Sequence, residues 1–304
     1  MVVSPSQISV IVNPASGRGL GAKLLPSVRA AFAAHGITDI RLTERAGDED
    51  RVTRQALDAR ATTIAIVGGD GTWGRCAGAV LAAGAADRVR LAFLSAGTGN
   101  DFAKNLGAPT RNFAAMAARC ADPSCERRVD AGSVESGGQT HWFVNVAGFG
   151  FDAAVLEDTM KGGVLGGPAV YMAAALRRLF DYPGFAYTEE GTHGESRLAM
   201  MVIFANGATL GGAFRIAPAA RIDDGLIDQL AVGNIGALAR VRLFVHAMRG
   251  SHTELPNVRT ARRKEYALTF IDAPKCDLDG ELIQLAHRDV VIRSAPGALR
   301  VVAP

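Results

Sequence analysis

The sequence predicts an α/β plus β protein: an N-terminal three-layer α/β domain with a parallel sheet, followed by a mainly antiparallel, β-sandwich-like domain. Three observations carry this. In the first third, short β-branched apolar runs alternate with helical patterns, as in a parallel sheet covered on both faces. Beyond about residue 125 apolar runs follow one another with few helices between them, as in strands joined by turns. The length, 304 residues, suits about two domains of ~150 residues each.

In chain order, Ile8–Val12 is a strand. Ala22–His35 follows as a helix with Leu24, Leu25, Val28, Ala31 and Phe32 on one face, the spacing of an amphipathic helix. Ile40–Thr43 is a strand, and Asp48 stands where an N-cap belongs before a helix over Arg51–Arg60. Thr63–Val67, a helix over Trp73–Ala83 and the strand Arg90–Leu94 complete the first unit. The second half offers strands at Arg127–Val134, Thr140–Ala147, Phe185–Thr188, Leu198–Asn206, Ile227–Val232, Tyr266–Ile271, Leu282–Gln284 and Val290–Arg293. Tyr171–Leu179 and Ala237–Arg249 are its helical patterns. The expected boundaries are 1–128 for the α/β domain, which the tail 294–304 can complete, and 129–293 for the β-rich domain.

Composition narrows the function classes. With 48% hydrophobic and 21% charged residues, a disordered, collagen-like or disulfide-framework chain is excluded. No apolar run reaches the roughly 18–20 residues of a spanning helix; Leu198–Ala205 and Ala169–Leu176 fall far short. Met1–Gln7 lacks the basic start of a signal peptide. The four cysteines have no CxxC spacing, so reduced thiols in a cytoplasmic protein are expected. A net charge of +3 suits an anionic ligand or membrane surface without calling for nucleic acid. The run Arg259–Lys264 reads as a solvated basic face, with Arg262 and Arg263 its candidate membrane contacts.

Three glycine-rich loops follow predicted strands: Asn13-Pro14-Ala15-Ser16-Gly17, Gly68-Gly69-Asp70-Gly71-Thr72 and Gly97-Thr98-Gly99-Asn100-Asp101. The carboxyl ends of parallel strands are where open α/β sheets bind ligands. Glycine there lets the backbone approach a phosphate and point N–H groups at it. No GxxxxGK[ST] occurs and no GxGxxG opens a helix after the first strand, which disfavours P-loop and dinucleotide-oxidoreductase readings. Thr72 and Thr98 offer hydroxyl donors, whereas an Asp inside a phosphate loop repels the ligand unless it handles a metal or a proton.

NPxSG, GGDGT and GTGNDFA together resemble the diacylglycerol kinase catalytic domain family of bacterial lipid kinases, related to sphingosine kinases. The resemblance continues through Lys161-Gly162-Gly163, Asn206-Gly207, the block from Ala217-Pro218 to Asp223-Asp224-Gly225, and Asp279-Gly280-Glu281. One departure is Trp73-Gly74-Arg75-Cys76, where the family usually has Asn-Glu. The resemblance implies an ATP- and Mg²⁺-dependent lipid kinase with its active site in a cleft between the domains. Its acceptor would be diacylglycerol, giving phosphatidic acid, or a related lipid. Asn13–Gly17, Thr43, Gly68, Gly69, Asp70, Gly71, Thr72, Trp73, Gly74, Thr98, Asn100 and Asp101 would meet the nucleotide. Asp224, with main-chain oxygens of Arg221 and Leu226, would hold a Mg²⁺, since a guanidinium cannot ligate a cation. Glu281 would take the proton from the lipid hydroxyl, with Asp279 and Asp70 as rival bases.

The residues taken alone allow other roles. Asp223-Asp224-Gly225 and Asp279-Gly280 are also good turns, and Phe143, Phe149 and Phe151 serve a lipid cleft or a core equally. His141, His246 and His252 show no metal-ligand spacing. The implied partners are a lipid substrate and the inner membrane face, met peripherally; a homodimer is also allowed. Two other functions compete: a NAD kinase-like enzyme with a soluble substrate, against which the DDG and DGE blocks speak, and a non-catalytic lipid-binding regulator, against which the joint presence of Asp70, Asp224 and Glu281 speaks.

Overall fold

The computed structural model describes residues 4–97, 99–107, 111–161, 168–191 and 195–303. They divide into two compact units. One holds the described residues up to Asp130 together with those from Pro296 on, and the other runs from Ala131 to Ala295.

The first unit is built on β1 (Ile8–Val12), α1 (Ser16–Ala33), β2 (Ile40–Leu42), α2 (Glu49–Asp58), β3 (Thr63–Gly68), α3 (Asp70–Ala82), β4 (Arg90–Ser95), α4 (Asp101–Leu106) and α5 (Phe113–Ala121). β1 lies between β2 and β3, and β3 pairs with β4, all in parallel. β1, β3 and β4 are buried along their whole length, which explains their nearly unbroken apolar runs. Val10, Val12, Ala65, Val67, Ala92 and Leu94 pack against Val28 and Phe32 of α1 and Phe113, Met116 and Ala117 of α5. Side chains alternate along a strand, so Ile11, Ile64 and Ile66 serve the opposite face. The helical segments α4 and α5 have no counterpart in the sequence reading.

The second unit contains β6 (Gln139–Phe143), β7 (Val146–Gly150), α6 (Phe151–Lys161), α7 (Pro168–Asp181), β8 (Phe185–Glu189), β9 (Arg197–Ala205), β10 (Ile227–Gly233), α8 (Ala237–Arg249), β11 (Val258–Arg263), β12 (Glu265–Phe270), β13 (Lys275–Leu278) and β14 (Glu281–Gln284). The chain passes between the units within β5 (Glu126–Ser136) and within β15 (Asp289–Val302). The pairings inside the second unit are antiparallel: β5 with β6, β7 with β9 and β13, β8 with β9 and β12, β10 with β9 and β11, β12 with β15, and β13 with β14.

β9 shows how the unit is layered. Val202 and Phe204 enter a core with Phe143, Phe149, Tyr266 and Phe270. The alternate residues Ile203 and Ala205 enter a second core with Val155, Leu179 and Leu243, roofed by α6, α7 and α8. Of the phenylalanines weighed for a lipid cleft, Phe143 and Phe149 belong to the first core and Phe151 to the second.

One expectation is corrected: the single strand over Thr140–Ala147 breaks at Val144–Asn145, because main-chain groups there turn to the Asp279 side chain. Phe151–Lys161 adds a helix where the sequence offered no element. The basic run Arg259–Lys264 is largely strand β11 and its four cationic residues are exposed, as a solvated face requires, with Arg262 and Arg263 paired to acids.

Candidate functional site

In the first unit the three glycine-rich loops converge at the carboxyl ends of β1, β3 and β4. Their approach is backbone to backbone. A Cβ added to Gly97 would lie 2.5 Å from the Cα of Gly69, and one added to Gly17 would lie 2.2 Å from the carbonyl oxygen of Ala96. Ala96 N and Gly97 N both donate to Gly68 O, at 2.7 and 3.1 Å. Gly17, Arg18 and Gly19 all take left-handed backbone angles, so the regular part of α1 begins only after them. Such a run suits glycine and makes Arg18 the unusual member.

Side chains fix the loops from behind. Asn13 Oδ1 accepts from Ala15 N at 2.9 Å. Asn13 Nδ2 donates to Thr72 Oγ1 at 2.9 Å and to Glu49 Oε1 at 3.0 Å. Thr72 donates to the same Glu49 oxygen at 3.3 Å. Glu49, only 5% exposed, thus ties the first two loops to α2, and its Oε2 is buried without a hydrogen bond. The sequence reading passed over it because an acid in the first turn of a helix already has a reason, the helix dipole. Asn100 spans the third loop, with Gly97 N donating to its Oδ1 at 3.1 Å and its Nδ2 donating to Gly97 O at 2.9 Å.

Asp70 joins the second loop to the third. Phe102 N donates to its Oδ1 at 3.1 Å, and the main chain of Asp101 is a further partner. Burial pushes the Asp70 carboxyl up to about 6, and the negative charge of Asp101 adds to that rise. Asp101 is buried and paired with Lys104 Nζ at 2.9 Å. Thr43 is buried beside the first loop, its N–H donating to Val12 O at 3.0 Å. Trp73 stands apart. Its indole is fully buried, donates to Ile66 O at 3.3 Å and meets Phe93 edge to face at 5.7 Å. Thr98 lies outside the described residues, as do Gly162 and Gly163.

In the second unit Asp279-Gly280 forms a two-residue hairpin turn between β13 and β14, both residues with positive φ (53° and 89°), the type I′ geometry that Asp-Gly favours. The Asp279 side chain is committed elsewhere. Its Oδ2 accepts from Val144 N at 2.7 Å, and its Oδ1 from Asn145 N and Val146 N, each at 2.9 Å. These bonds break the strand expected over Thr140–Ala147 and mark Asp279 as an anchor. Asn206 braces the same corner, its N–H donating to Asn145 O at 2.8 Å and its Nδ2 to Val144 O at 2.8 Å. Gly280 N donates to Asp277 Oδ1 at 2.8 Å. Asp277 is buried and hydrogen-bonds the buried Asp152; desolvation, then the Asp152 charge, holds its carboxyl well above the usual range, so the pair keeps a proton. Gly148 leaves room for Asp152, since a Cβ there would lie 2.1 Å from Asp152 Oδ2. An Asp facing inward between Cys276 and Leu278 was the available sequence signal for this pair. Glu281 opens β14 opposite Leu278 and is half-buried.

The metal set fares differently. Among the described residues no group of three or more His, Cys, Asp or Glu could hold an ion. Asp224 Oδ1 accepts from Leu226 N at 3.1 Å, and its other oxygen is taken by Arg262 Nη2. Arg262 Nε also lies 3.2 Å from Asp228 Oδ1, and the Arg221 guanidinium turns to Asp223 at 3.3 Å. With Arg262 already neutralising Asp224, these residues do not fit a resident magnesium ion. The second unit also holds a cavity of about 410 Å³ lined by Phe149, Tyr182, Phe185 and Phe270, with Glu157 and Lys275 as polar members.

Comparisons with known proteins bear on both units. Residues 7–134 match the model of the diacylglycerol kinase catalytic domain, and residues 145–303 match the YegS C-terminal NAD kinase beta sandwich-like domain. A relative in Chromohalobacter salexigens named "Probable lipid kinase YegS-like" is 30% identical, over 92% of this chain and 89% of that one. A "Diacylglycerol kinase" of Mycobacterium tuberculosis is 28% identical, over 98% and 95%. Among solved structures, a diacylglycerol kinase from Bacillus anthracis str. Sterne superposes with a TM-score of 0.68 at 21% identity, over 98% of this chain and 96% of that one. A second structure from that organism reaches 0.77 at 23% identity over the same shares. At such identities the likeness speaks to the fold.

Proposed function

The chain belongs to the diacylglycerol kinase catalytic domain family, with the YegS-type β-sandwich domain, and from that premise we propose that it phosphorylates the free hydroxyl of diacylglycerol or a closely related lipid. The observation that carries the reading is the backbone-to-backbone convergence of the three loops, which leaves backbone and small residues rather than bulky side chains where a polyphosphate would dock. Magnesium-bound ATP is the second substrate and supplies the phosphoryl group. Phosphoryl transfer asks a protein mainly for positioning, charge neutralisation and a base. Asn13 and Thr72, tied by Glu49, hold the first two loops in register, while Asp70 holds the second to the third. In the ionised form Asp70 would help hold the nucleotide's magnesium ion, directly or through water. Glu281 accepts the proton of the lipid hydroxyl, on a turn fixed by Asp277 and Asp279. The apolar cavity of the second unit favours an acceptor with hydrocarbon chains. The chain works in the cytoplasm and meets the inner membrane face peripherally; among the described residues no helix is long and apolar enough to cross it.

The test supplies radiolabelled ATP and Mg²⁺ with diacylglycerol in detergent micelles, and NAD in a parallel reaction. Label is expected in phosphatidic acid. Label in the NAD reaction alone, or in neither, overturns the reading.

A further inference from the structure

Every large hydrophobic side chain exposed among the described residues belongs to the second unit, and three of them are on α8: Leu238 at 85%, Val245 at 42% and Met248 at 47% exposure. Single exposed apolar residues are ordinary; their arrangement here is not. Leu238, Arg242, Val245 and Arg249 are all exposed and recur at helical spacing along one stripe, with Met248 beside it. The opposite face is anchored. Leu243 and Ala247 are buried, and Phe244 packs on Phe214 at 5.0 Å between ring centroids. The buried Arg240 guanidinium donates to Leu179 O at 3.0 Å and to Tyr182 O at 2.7 Å, clamping α8 to the end of α7. α7 itself exposes Leu176 and Phe180.

Charge decides the partner. From Ala237 to Arg249 there is no acidic residue, and Arg242 and Arg249 enter no ion pair among the described residues. Arg249 also suits a helix C-terminus, but Arg242 in mid-helix has no such reason. Two arginines of the run that looked basic in sequence are neutralised instead: Arg262 is held by Asp224 and Asp228, and Arg263 by Glu189 at 3.2 Å. Exposed apolar residues interleaved with unpaired arginines on a rigidly held helix are the chemistry of an interfacial helix on an anionic lipid surface.

We propose that the outer face of α8 docks the protein on an anionic bilayer, with Leu238, Val245 and Met248 entering the headgroup boundary and Arg242 and Arg249 meeting lipid phosphates. This rests on the lipid-kinase reading only for its purpose, and the experiment separates the two. Sedimentation with phosphatidylglycerol–phosphatidylcholine vesicles is compared for the wild type, Arg242→Gln/Arg249→Gln, Leu238→Ser, and a charge-matched control, Arg29→Gln/Arg88→Gln, on the first unit. The α8 arginine pair should lose roughly 25-fold in vesicle affinity, about fivefold for each surface arginine. Leu238→Ser should lose about tenfold, as expected for one withdrawn leucine, while the control changes little. All four proteins should phosphorylate micellar diacylglycerol alike. The proposal is overturned if the α8 variants bind vesicles like the wild type, if the control falls equally, or if α8 instead supports a dimer in sedimentation equilibrium without vesicle binding. α8-dependent vesicle binding by a protein with no micellar kinase activity would leave the docking face standing and sink the kinase reading.

Discussion

The two units solve opposite problems with the same residue types. In the first, glycine brings three loops together until their backbones touch, and the side chains of Asn13, Thr72, Glu49 and Asp70 brace them from behind. In the second, glycine serves a turn and a carboxylate's berth, and the acids Asp277 and Asp279 spend their oxygens on main-chain N–H groups. One site is a shape made of backbone; the other is a carboxylate on a turn that other carboxylates hold still. Damage to the first should therefore cost ligand, and damage around the second should cost fold, with Glu281 the exception.

Glu281→Gln is the largest break. It keeps the side chain's size and hydrogen bonding but removes the base, so kcat should fall ~10²–10⁴-fold with ATP affinity and Tm near wild type. Steady-state kinetics beside calorimetry check this, and a normal kcat removes Glu281 from the mechanism. Asp279→Ala is next and acts on stability. It leaves three main-chain N–H groups without their acceptor, which should cost about 3–5 kcal/mol in urea unfolding; a loss below ~1 kcal/mol would demote the anchor. Gly97→Ala sharpens the other side. With a Cβ 2.5 Å from the Cα of Gly69, the second and third loops must part. ATP affinity should drop at least about tenfold, roughly 1.4 kcal/mol, while kcat at saturating ATP suffers less.

The smallest effect concerns pH. With its carboxyl raised to about 6, Asp70 is ionised only above that value, so the activity profile should show an acid limb near pH 6. Asp101→Asn removes a neighbouring charge and should move that limb lower. Because the folded value lies above the ordinary one, Asp70 contributes stability that is full below about pH 4 and lost as pH rises through 6. Asp70→Asn should therefore lose turnover at pH 7.5 without lowering Tm. A fall in Tm at that pH would contradict the assignment.

Much of this architecture was legible in the sequence for physical reasons. Strands buried on both faces read as nearly unbroken apolar runs, and β1, β3 and β4 do. Loops that touch by backbone must be glycine-rich, so they announced themselves. What escaped was whatever depends on partners distant in the chain. β13 is four residues with one acid, Cys276 and Asp277 finding their reason only in β7 and Asp152. β11 is the solvated charge run it looked like, but the pairing of Arg262 with Asp228 and of Arg263 with Glu189 escaped because those acids lie 34 and 74 residues away. Asp224 showed its carboxylate but not the guanidinium that covers it. Glu49 hid behind a helix start, where an acid needs no further explanation.

β15 gives the first unit a timing problem. Its end pairs in parallel with β4, Arg300 opposite Arg90 and Val301 opposite Leu91, and is pinned by Arg300 to Glu126 at 2.6 Å. Those partners leave the ribosome some two hundred residues after β4 does. At ~5–20 residues per second that is about 10–40 s, during which the edge of a strand that is buried along its whole length in the folded protein stands open as a template for other chains. The first unit is thus expected to be most open to aggregation while it is nascent, and a cellular chaperone that shields β4 until Val301 emerges would raise the yield of folded protein.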